Sequence, residues 1–459
     1  MEGTEVSTNL RNIIKLIVGT FGCFALLLAA QAILDNHNHR IDLTPEKRFT
    51  LSPRTEQIVK NLTKDVHAFA FINSDRPENF FVEDMLWRMG NLSKHLHYTI
   101  VDMNRNPALA RQYHAQQYGT LVFESENQQK GVLLSSGESA VASTLLQVTR
   151  NKEKMIYFLT GHGENSLSDE SPHGGYSKLR GAIFDETYQE RPLSLGNSEG
   201  NVPADADVVI ILGPKGPFLP EEFAALDAYI QRGGSLFVLF DVHGSPSIIP
   251  FLEKYNVHLM DAVAVDPAKR LYAGEVITYR VSATAKTHPM LLSVNAPPIF
   301  SLARVVEVRE DQAKGIVARP ILATSGNGFA TAFSHIGKDG TATYAPERDI
   351  SGPVPIAGEV AIRNGEKVGR IAVFGDADML NNSLLDQGGN RDLFVNAINW
   401  LANDQEILGE RPSRQTAGQT TFIMTEREGR WLLTMSTVVL PGLFFLTGIA
   451  VFFWRRQHG

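Results

Sequence analysis

The chain has 459 residues, a formal net charge of −7 and a single cysteine. Acidic and basic residues are interspersed, and no basic stripe with interleaved aromatic residues occurs, which excludes nucleic acid as a partner. The cysteine, Cys23, lies in an apolar run near the start, so cysteine-based hydrolysis, redox relays and Cys-ligated zinc are excluded for the rest of the chain. The length suits two or three domains of ordinary size.

Two uncharged apolar stretches lie near the ends of the sequence, at residues 16–34 and 431–454. Each is long enough to cross a hydrocarbon core about 30 Å thick at about 1.5 Å rise per residue. Trp431 and Trp454 stand at the two ends of the second stretch, as is typical of membrane interfaces. We therefore predict two transmembrane helices that tether the body between them, rather than a channel.

The first stretch could instead be a cleaved signal peptide, because the alanines before Leu34 are small residues of the kind found at cleavage sites. Its apolar core exceeds the usual length of about 7–15 residues, and no clear small-x-small cleavage site follows Leu34, which favours an uncleaved anchor. The tails 1–15 and 455–459 carry basic residues next to the apolar stretches, which favours a cytoplasmic location of both tails. Arg427 and Arg430 on the body side border a long domain, and basic residues of long domains have little effect on orientation. We predict an extracytoplasmic body with both termini in the cytoplasm.

The body alternates between strand and helix patterns. A first α/β domain at 41–151 is predicted to hold a mixed sheet, with strands at Val66–Ile72 and Tyr98–Val101, a hairpin-like pair at Thr120–Glu124 and Gly131–Leu134, and helices near 54–62, 78–96, 106–117 and 138–149.

A second α/β domain is predicted at 152–403. Its buried strands are expected at Met155–Thr160, Val208–Leu212, Ser235–Phe240 and Arg370–Phe374, and its helices near 175–186, from Pro220 to Gly233-Gly234, and from Asn390, which we expect to cap the last helix. The strand–helix–strand order implies mostly parallel sheets in both domains. A β-rich insertion is predicted at about 257–365, and a linker at 404–430 leads to the membrane.

Polar residues follow the predicted strands of the second domain directly, where ligands gather in open parallel sheets. They could bind a ligand or carry acid–base chemistry, but no HExxH, GxSxG, Walker or GxGxxG motif accompanies them, and we predict no metal or cofactor. The alternative interpretation is structural, because Asp and Asn fix turns and cap helices after strands. The candidate ligand-binding residues are His162, Glu164, Asp241, Asp376, Asp378 and Asn381, with Asn382 beside the last.

Ordered segments of the chain resemble gliding-motility-type (GldG-like) auxiliary proteins of ABC transporters. The segments are Asp42-Leu43-Thr44 with Leu51-Ser52, Ile156 to Glu164, Val209 to Pro214, Arg232 to Leu236, Phe374 to Asp378, and Asn390 to Leu401. The resemblance implies a non-catalytic subunit of the bacterial inner membrane, which works beside a separate permease and ATPase. It also implies a second domain similar to class I glutamine amidotransferases (flavodoxin-like), without their catalytic cysteine.

Three functions follow from these patterns. The favoured one is a membrane-anchored accessory subunit of an ABC transporter, whose body recruits or gates a substrate or a surface partner. A membrane-tethered ligand sensor would use the strand-end cleft and needs convergent polar groups there. A hydrolase would need His162 and the carboxylates within hydrogen-bond distance of each other and open to solvent.

Overall fold

The computed structural model describes Gly22 and residues 50–73, 79–126, 128–150, 154–196, 200–271, 278–284, 287–292, 294, 296–311, 315–337, 341–403 and 424–458. By its internal contacts the chain divides into Met1–Thr50 and Leu51–Gly459, and every element below belongs to the second unit. The predicted helix at 16–34 apart from Gly22, the tail before it and most of the linker at 404–430 lie outside the described residues.

Four strands form the first sheet, in the order β2-β1-β3-β4. The elements of this region, in chain order, are α1 (Pro53–Lys60), β1 (Val66–Ile72), α2 (Asn79–Leu92), β2 (Leu96–Asp102), α3 (Pro107–Gln112), β3 (Thr120–Ser125), β4 (Gln128–Leu133) and α4 (Glu138–Thr149). β1 and β2 are parallel, while β3 runs antiparallel to both β1 and β4. The first sheet is therefore mixed and contains a hairpin, as predicted for this domain, and the prediction of mostly parallel strands is wrong for it. The physical reason for the antiparallel pair β3–β4 is that only two residues separate Ser125 from Gln128, and so short a connection joins only antiparallel strands.

The strands after residue 153 are, in chain order, β5 (Lys154–Leu159), β6 (Tyr188–Leu193), β7 (Ala206–Leu212), β8 (Ser235–Leu239), β9 (Val257–Val265), β10 (Thr278–Arg280), β11 (Ser282–Ala283), β12 (Ile299–Ser301), β13 (Arg304–Val308), β14 (Ile316–Ala323), β15 (Phe329–Thr331), β16 (Ile350–Ser351), β17 (Pro355–Asn364) and β18 (Lys367–Phe374). Eight of them form one sheet in the order β11-β14-β17-β18-β8-β7-β5-β6. From β18 to β6 neighbouring strands are parallel, and from β18 to β11 they are antiparallel.

Helices cover both faces of the parallel strands. They are α5 (Ser177–Asp185), α6 (Pro220–Gln231), α7 (Ile249–Glu253) and α8 (Asn390–Leu401). Residues alternate along each strand, so Ile210 joins the core under α5 and α8, whereas Val209 and Ile211 join the core under α6 and α7. A sheet buried on both faces explains why these strands are continuous apolar runs in the sequence.

The helix predicted from Pro220 has the expected ends. It stops at Gln231, and Gly233 follows with a φ of 96°, a left-handed conformation that favours glycine. The edge strand β6 has no counterpart in the sequence analysis. Its residues Tyr188–Leu193 are mostly polar with a proline at 192, a composition that only an edge strand tolerates.

The region 257–365 is rich in strands but is only partly an insertion. β9, β13, β15 and β16 form a separate antiparallel sheet, and β10 pairs with β12. In contrast, β11, β14 and β17 extend the main sheet beyond β18. The class predicted from the sequence, a mixed α/β protein with several sheets, is confirmed.

A single continuous helix forms the end of the chain. It consists of α9 (Glu426–Thr434), a π-helical turn at Met435–Val439 and α10 (Leu440–His458). Within the described residues, Glu426–Trp454 is the one helix that is long and apolar enough to cross a membrane. Its large apolar side chains are exposed, including those of Trp431, Phe444 and Trp454.

A buried ion pair ties α1 to the end of α5. Arg54 Nη2 donates to Glu186 Oε2 at 2.7 Å, and both side chains are almost completely buried. Arg150 Nη1 also donates to Thr187 Oγ1 at 2.5 Å. Polar contacts therefore link the first sheet region to the second, and the predicted domain boundary at 151 stays a prediction.

Replacement of Arg54 by methionine tests this link. We expect the Arg54→Met variant to lose about 3–5 kcal/mol of unfolding free energy, because the change leaves the Glu186 carboxylate buried without its cation. Chemical denaturation of the full chain in detergent measures the loss. Lys60→Ala, which removes the exposed Lys60–Glu56 pair, is the matched control and should change stability by less than about 1 kcal/mol. Equal stability of the two variants would contradict a stabilising role for the buried pair.

Candidate functional site

The parallel strands bring the predicted polar residues to one edge of the sheet. His162 and Glu164 follow β5, Asp241 follows β8, and Asp376 and Asp378 follow β18. Neighbouring parallel strands end at the same edge, so the order β18-β8-β7-β5 places these residues along it. Their contacts, however, divide them into two groups with different chemistry.

The first group surrounds His162, whose side chain is buried. Its Nδ1 lies 2.9 Å from Glu164 Oε1, and its Nε2 lies 2.8 Å from Glu222 Oε2. Phe218 covers one face of the imidazole, with ring centroids 3.9 Å apart and an interplanar angle of 5°. An ionised carboxylate only accepts hydrogen bonds, so both contacts are satisfied when the imidazole carries both protons. Both ring nitrogens of this buried imidazole are therefore occupied by buried carboxylates.

Glu222 is the member of this group that sequence reasoning missed. It lies in the first turn of α6, where Leu219 N donates to Glu222 Oε2 at 2.8 Å. The sequence signal was present, because a Glu three residues after a helix cap is typical of an N-terminal capping arrangement. The pattern indicates a helix start, but it does not reveal that the same carboxylate also binds a histidine sixty residues away.

The second group consists of three aspartates that are held by backbone and tyrosine donors. Ala377 N donates to Asp241 Oδ1 at 2.7 Å, and Ser301 N donates to Asp376 Oδ2 at 2.5 Å. Tyr176 Oη donates to Asp378 Oδ1 at 3.1 Å. Asp376 is completely buried, whereas Asp241 and Asp378 are partly exposed.

Burial makes these three carboxyl groups weak acids. Burial, together with the charge of Asp378, raises the pKa of Asp241 from 3.8 to about 6. Burial and the two neighbouring carboxylates raise the pKa of Asp376 well above its ordinary value. Burial also raises the pKa of Asp378, which the hydrogen bond from Tyr176 and the charge of Lys215 partly oppose. Backbone N–H groups of Ser301 and Met379 donate to the Asp376 carboxyl and oppose this rise in its pKa.

A hydrogen-bonded chain connects the second group to solvent. The exposed Lys215 Nζ donates to Asn165 Oδ1 at 3.1 Å, and Asn165 Nδ2 donates to Tyr176 Oη at 3.0 Å. Gly213 lies beside this chain at a φ of 63°, and a Cβ there would stand 2.6 Å from Asn165 Nδ2 and 2.9 Å from Asp241 Oδ2. Only glycine allows so close an approach of the β7 end to both side chains.

Asn381 and Asn390 have structural contacts. Asn381 Oδ1 accepts from Ser383 N and Leu384 N, both at 2.9 Å, and its Nδ2 donates to His173 O at 3.1 Å. The prediction that Asn390 caps α8 is wrong: it is the first residue inside the helix, and Gly389 occupies the cap position. Its buried side chain instead bonds the backbone of Ile299 in both directions, because β12 runs beside the start of α8.

Among the residues that the structure describes, no three His, Cys, Asp or Glu side chains are arranged to hold a metal ion. The arrangement as a whole offers two chemical environments at one sheet edge. One is a closed ionic cluster around His162, and the other is a set of weakly acidic carboxyls with a tyrosine and a lysine that reaches solvent.

Comparison with known families decides the classification. Residues 153–404, more than half of the chain, match the family described as ABC-type uncharacterized transport system. The chain belongs to this family. The resemblance to auxiliary proteins of ABC transporters is thereby confirmed at family level, and membership of the gliding-motility subtype stays a prediction. Residues 45–158 match a second family, a domain of unknown function named DUF7088.

Solved structures similar to this ABC-transport family member are distant. The mmIFT52 N-terminal domain is 15% identical, with a TM-score of 0.37, and the match covers 54% of this chain and 97% of that one. A putative ThuA-like protein from Bacteroides uniformis is 13% identical, with a TM-score of 0.33 and coverage of 54% and 91%. A glutamine amidotransferase from Thermotoga maritima is 8% identical, with a TM-score of 0.28 and coverage of 55% and 99%. At these TM-scores the similarities carry no conclusion about activity. A search of curated proteins finds no match.

Removal of the His162 side chain tests the ionic cluster. We expect the His162→Ala variant to lose about 3–5 kcal/mol of unfolding free energy at neutral pH, because Glu164 and Glu222 remain buried without the partner that both of them contact. Denaturant unfolding of the full chain in detergent measures this loss. His243→Ala on an exposed loop is the control, with an expected change within about 0.5 kcal/mol. An unchanged His162→Ala stability would contradict a stabilising role for the contacts of His162 with Glu164 and Glu222.

Replacement of Asp241 by asparagine should have a pH-dependent effect. The folded-state pKa of Asp241 is raised to about 6 from 3.8, so its charge costs stability increasingly as the pH rises between those values. Asp241→Asn should match the wild type near pH 4 and be more stable above pH 6, by on the order of 1–3 kcal/mol. Unfolding measured across this pH range tests the difference.

Asp227→Asn is the control of opposite sign. Hydrogen bonds from Lys254 and Tyr255 lower the pKa of Asp227 despite its partial burial, so this variant should lose stability above pH 4. A pH-independent difference between Asp241→Asn and the wild type would contradict the raised pKa of Asp241.

Proposed function

We propose that the chain is a membrane-anchored, non-catalytic accessory subunit of an ABC transporter. Its extracytoplasmic body would recruit or gate a substrate or a surface partner, beside a separate permease and ATPase. Membership of the ABC-type transport family is the observation that carries this proposal. The body would be periplasmic at a bacterial inner membrane with both termini cytoplasmic, which the basic residues of the two tails support. A role linked to gliding motility would be consistent with the resemblance of the sequence to gliding-motility-type auxiliary proteins.

The C-terminal helix supports the anchoring. Glu426–Trp454 comprises 29 residues, which at about 1.5 Å per residue exceed the roughly 30 Å of a hydrocarbon core. Large apolar side chains project from this helix on all sides without burial against the rest of the described chain. Such a surface is stable in lipid or against other membrane helices, and it is unfavourable in water.

The state of His162 supports a non-catalytic role. A general base needs a free ring nitrogen and access to the substrate. Both ring nitrogens of His162 face carboxylate oxygens within hydrogen-bond distance, and Phe218 covers one face of the ring. A hydrolase that uses this histidine would first have to break one of its two buried contacts with Glu164 and Glu222.

Ligand sensing is the second candidate function, and the second group of polar residues favours it. Within the described part of the chain, one oxygen of Asp241 and one of Asp378 accept the hydrogen bonds given above, and the other oxygen of each accepts none. Together with Lys215 they form a polar set at the ligand-binding edge of a parallel sheet. We propose Asp241 and Asp378 as ligand contacts, and structural roles for His162, Glu164, Asp376 and Asn381.

Purification from the native membrane tests the accessory-subunit proposal. We expect the full chain, solubilised in mild detergent, to retain a permease and an ATPase in stoichiometric amounts by mass spectrometry. In a variant without residues 431–459, the affinity for the permease should fall at least about tenfold, which corresponds to about 1.4 kcal/mol. The reason is that we assign the permease contact to the membrane helices.

A variant that carries an unrelated transmembrane helix in place of 431–454 is the control. It keeps membrane attachment, so loss of the partners from this variant too would assign the contact to the helix sequence itself. Retention of the permease by the truncated chain would contradict the helix-mediated contact and would place it on the body. A solitary full-length protein would contradict the accessory-subunit proposal.

A further inference from the structure

The start of the C-terminal helix is docked on the body. Thr425 is buried and forms a β-bridge with Leu271, and Glu426 N donates to Arg270 O at 3.0 Å. Thr425 also caps the helix, since Glu428 N donates to Thr425 Oγ1 at 3.3 Å while Thr425 N donates to Glu428 Oε2 at 2.6 Å. The helix therefore leaves the body from a fixed position.

Ion pairs surround this junction. Arg270 Nη1 lies 3.7 Å from Glu426 Oε2, and Arg280 Nη1 lies 3.4 Å from Glu428 Oε2. Hydrogen bonds from Thr425 lower the pKa of Glu428, and the charges of Arg280 and Lys269 lower it further. Lys269 is exposed beside the junction. The segments 269–271 and 278–280 therefore lie directly against the first turn of α9.

The helix axis sets the depth of this junction relative to a membrane. The apolar stretch begins at Trp431, three residues after Glu428 and five after Glu426. At about 1.5 Å per residue, the two glutamates lie about 4.5–7.5 Å along the helix before the apolar stretch. A polar headgroup layer is about 5–7 Å thick on each side of the hydrocarbon core. Residues in contact with Glu426 and Glu428 therefore reach the depth of the lipid headgroups.

The charge of the described residues at this depth is predominantly positive. Among them, five cations lie at or beside the junction with the carboxylates of Glu426 and Glu428: Lys269, Arg270, Arg280, Arg427 and Arg430. Lys269, Arg427 and Arg430 are exposed. Guanidinium and ammonium groups bind phosphate oxygens with strong charge-assisted hydrogen bonds.

We propose that this junction, formed by Lys269, Arg270, Arg280, Arg427 and Arg430, binds the headgroups of anionic phospholipids and so holds one face of the body against the bilayer. The inference rests on the proposed membrane anchoring. Lipid is the occupant because the helix itself carries these residues into the headgroup layer, and because the exposed cations match anionic phosphate in charge.

Quenching of a fluorescent label by lipids of known structure tests the proposal. The full chain with Cys23→Ser receives a single labelled cysteine at Ala268, which is exposed next to Lys269. The protein is reconstituted in nanodiscs of phosphatidylcholine, or of an equal mixture of phosphatidylcholine and phosphatidylglycerol, with a nitroxide on a fraction of the phosphatidylcholine headgroups. We expect at least about twofold stronger quenching in the anionic mixture, because anionic headgroups hold this face at the surface.

Charge reversal provides the matched comparison. Lys269→Glu combined with Arg427→Glu should abolish the difference between the two lipid mixtures, because both cations are exposed and their reversal replaces positive by negative charge at the junction. Arg309→Glu, at an exposed arginine that pairs with Glu307, should leave the difference unchanged. Equal quenching of the unreversed protein in both mixtures, or no quenching at all, would overturn the proposal.

A second label separates this inference from the anchoring on which it rests. A cysteine at Phe444, in the middle of the apolar helix, should be quenched by nitroxides on the acyl chains. Quenching at position 444 without quenching at position 268 overturns the headgroup contact alone. Absence of quenching at position 444 overturns the membrane anchoring and the headgroup contact together.

Discussion

Burial of both faces of the parallel strands is the constraint on which the rest of the structure depends. Alternate residues of β5, β7, β8 and β18 enter two different cores, so these strands have no solvent-facing side on which to place polar groups. Polar residues can therefore follow only where the strands end. This is why His162, Asp241 and Asp376 come together at one edge of the sheet, and why any ligand of this domain would meet them there.

The same edge compensates its buried charge in two different ways. Around His162 the compensation comes from side chains, since an imidazole lies between the carboxylates of Glu164 and Glu222. Around Asp376 it comes from the backbone, since Ser301 N and Met379 N donate to the carboxyl, whose pKa burial and two neighbouring carboxylates raise. The histidine has both ring nitrogens occupied, whereas the carboxyls of Asp241 and Asp378 are partly exposed. The side chains of this edge that are best placed to contact a ligand are therefore the aspartates rather than the histidine.

The apolar C-terminal helix and this edge are connected through the strand-rich region. Arg280, which pairs with Glu428 at the start of α9, belongs to β10, and β10 pairs with β12. Ser301 at the end of β12 donates its backbone N–H to Asp376. The region 257–365 is thus more than an insertion, since it extends the main sheet at one side and contacts both the helix base and the carboxylate group.

Much of the fold could be predicted from local pattern, and the site only in part. The apolar runs of β5, β7, β8 and β18 and the Pro220 to Gly233 helix carry their own signals, and the strand order then places the following polar residues on one edge. β6 escaped prediction because its polar residues at a sheet edge resemble a loop. Asn390 resembled a helix cap because capping residues are recognised by type, whereas its side chain bonds a strand that is distant in the sequence.

The sequence by itself determined the α/β class, the membrane-length apolar helix at the end of the chain and the set of polar residues at the strand ends. Each of these follows from periodicity, length or residue type within a short segment. Only the tertiary structure decided that His162 binds Glu222, that Ser301 binds Asp376, and that the base of the apolar C-terminal helix docks on Arg270 and Arg280. Those contacts join residues far apart in the chain, and they depend on strand order and register, which no local pattern of residues specifies.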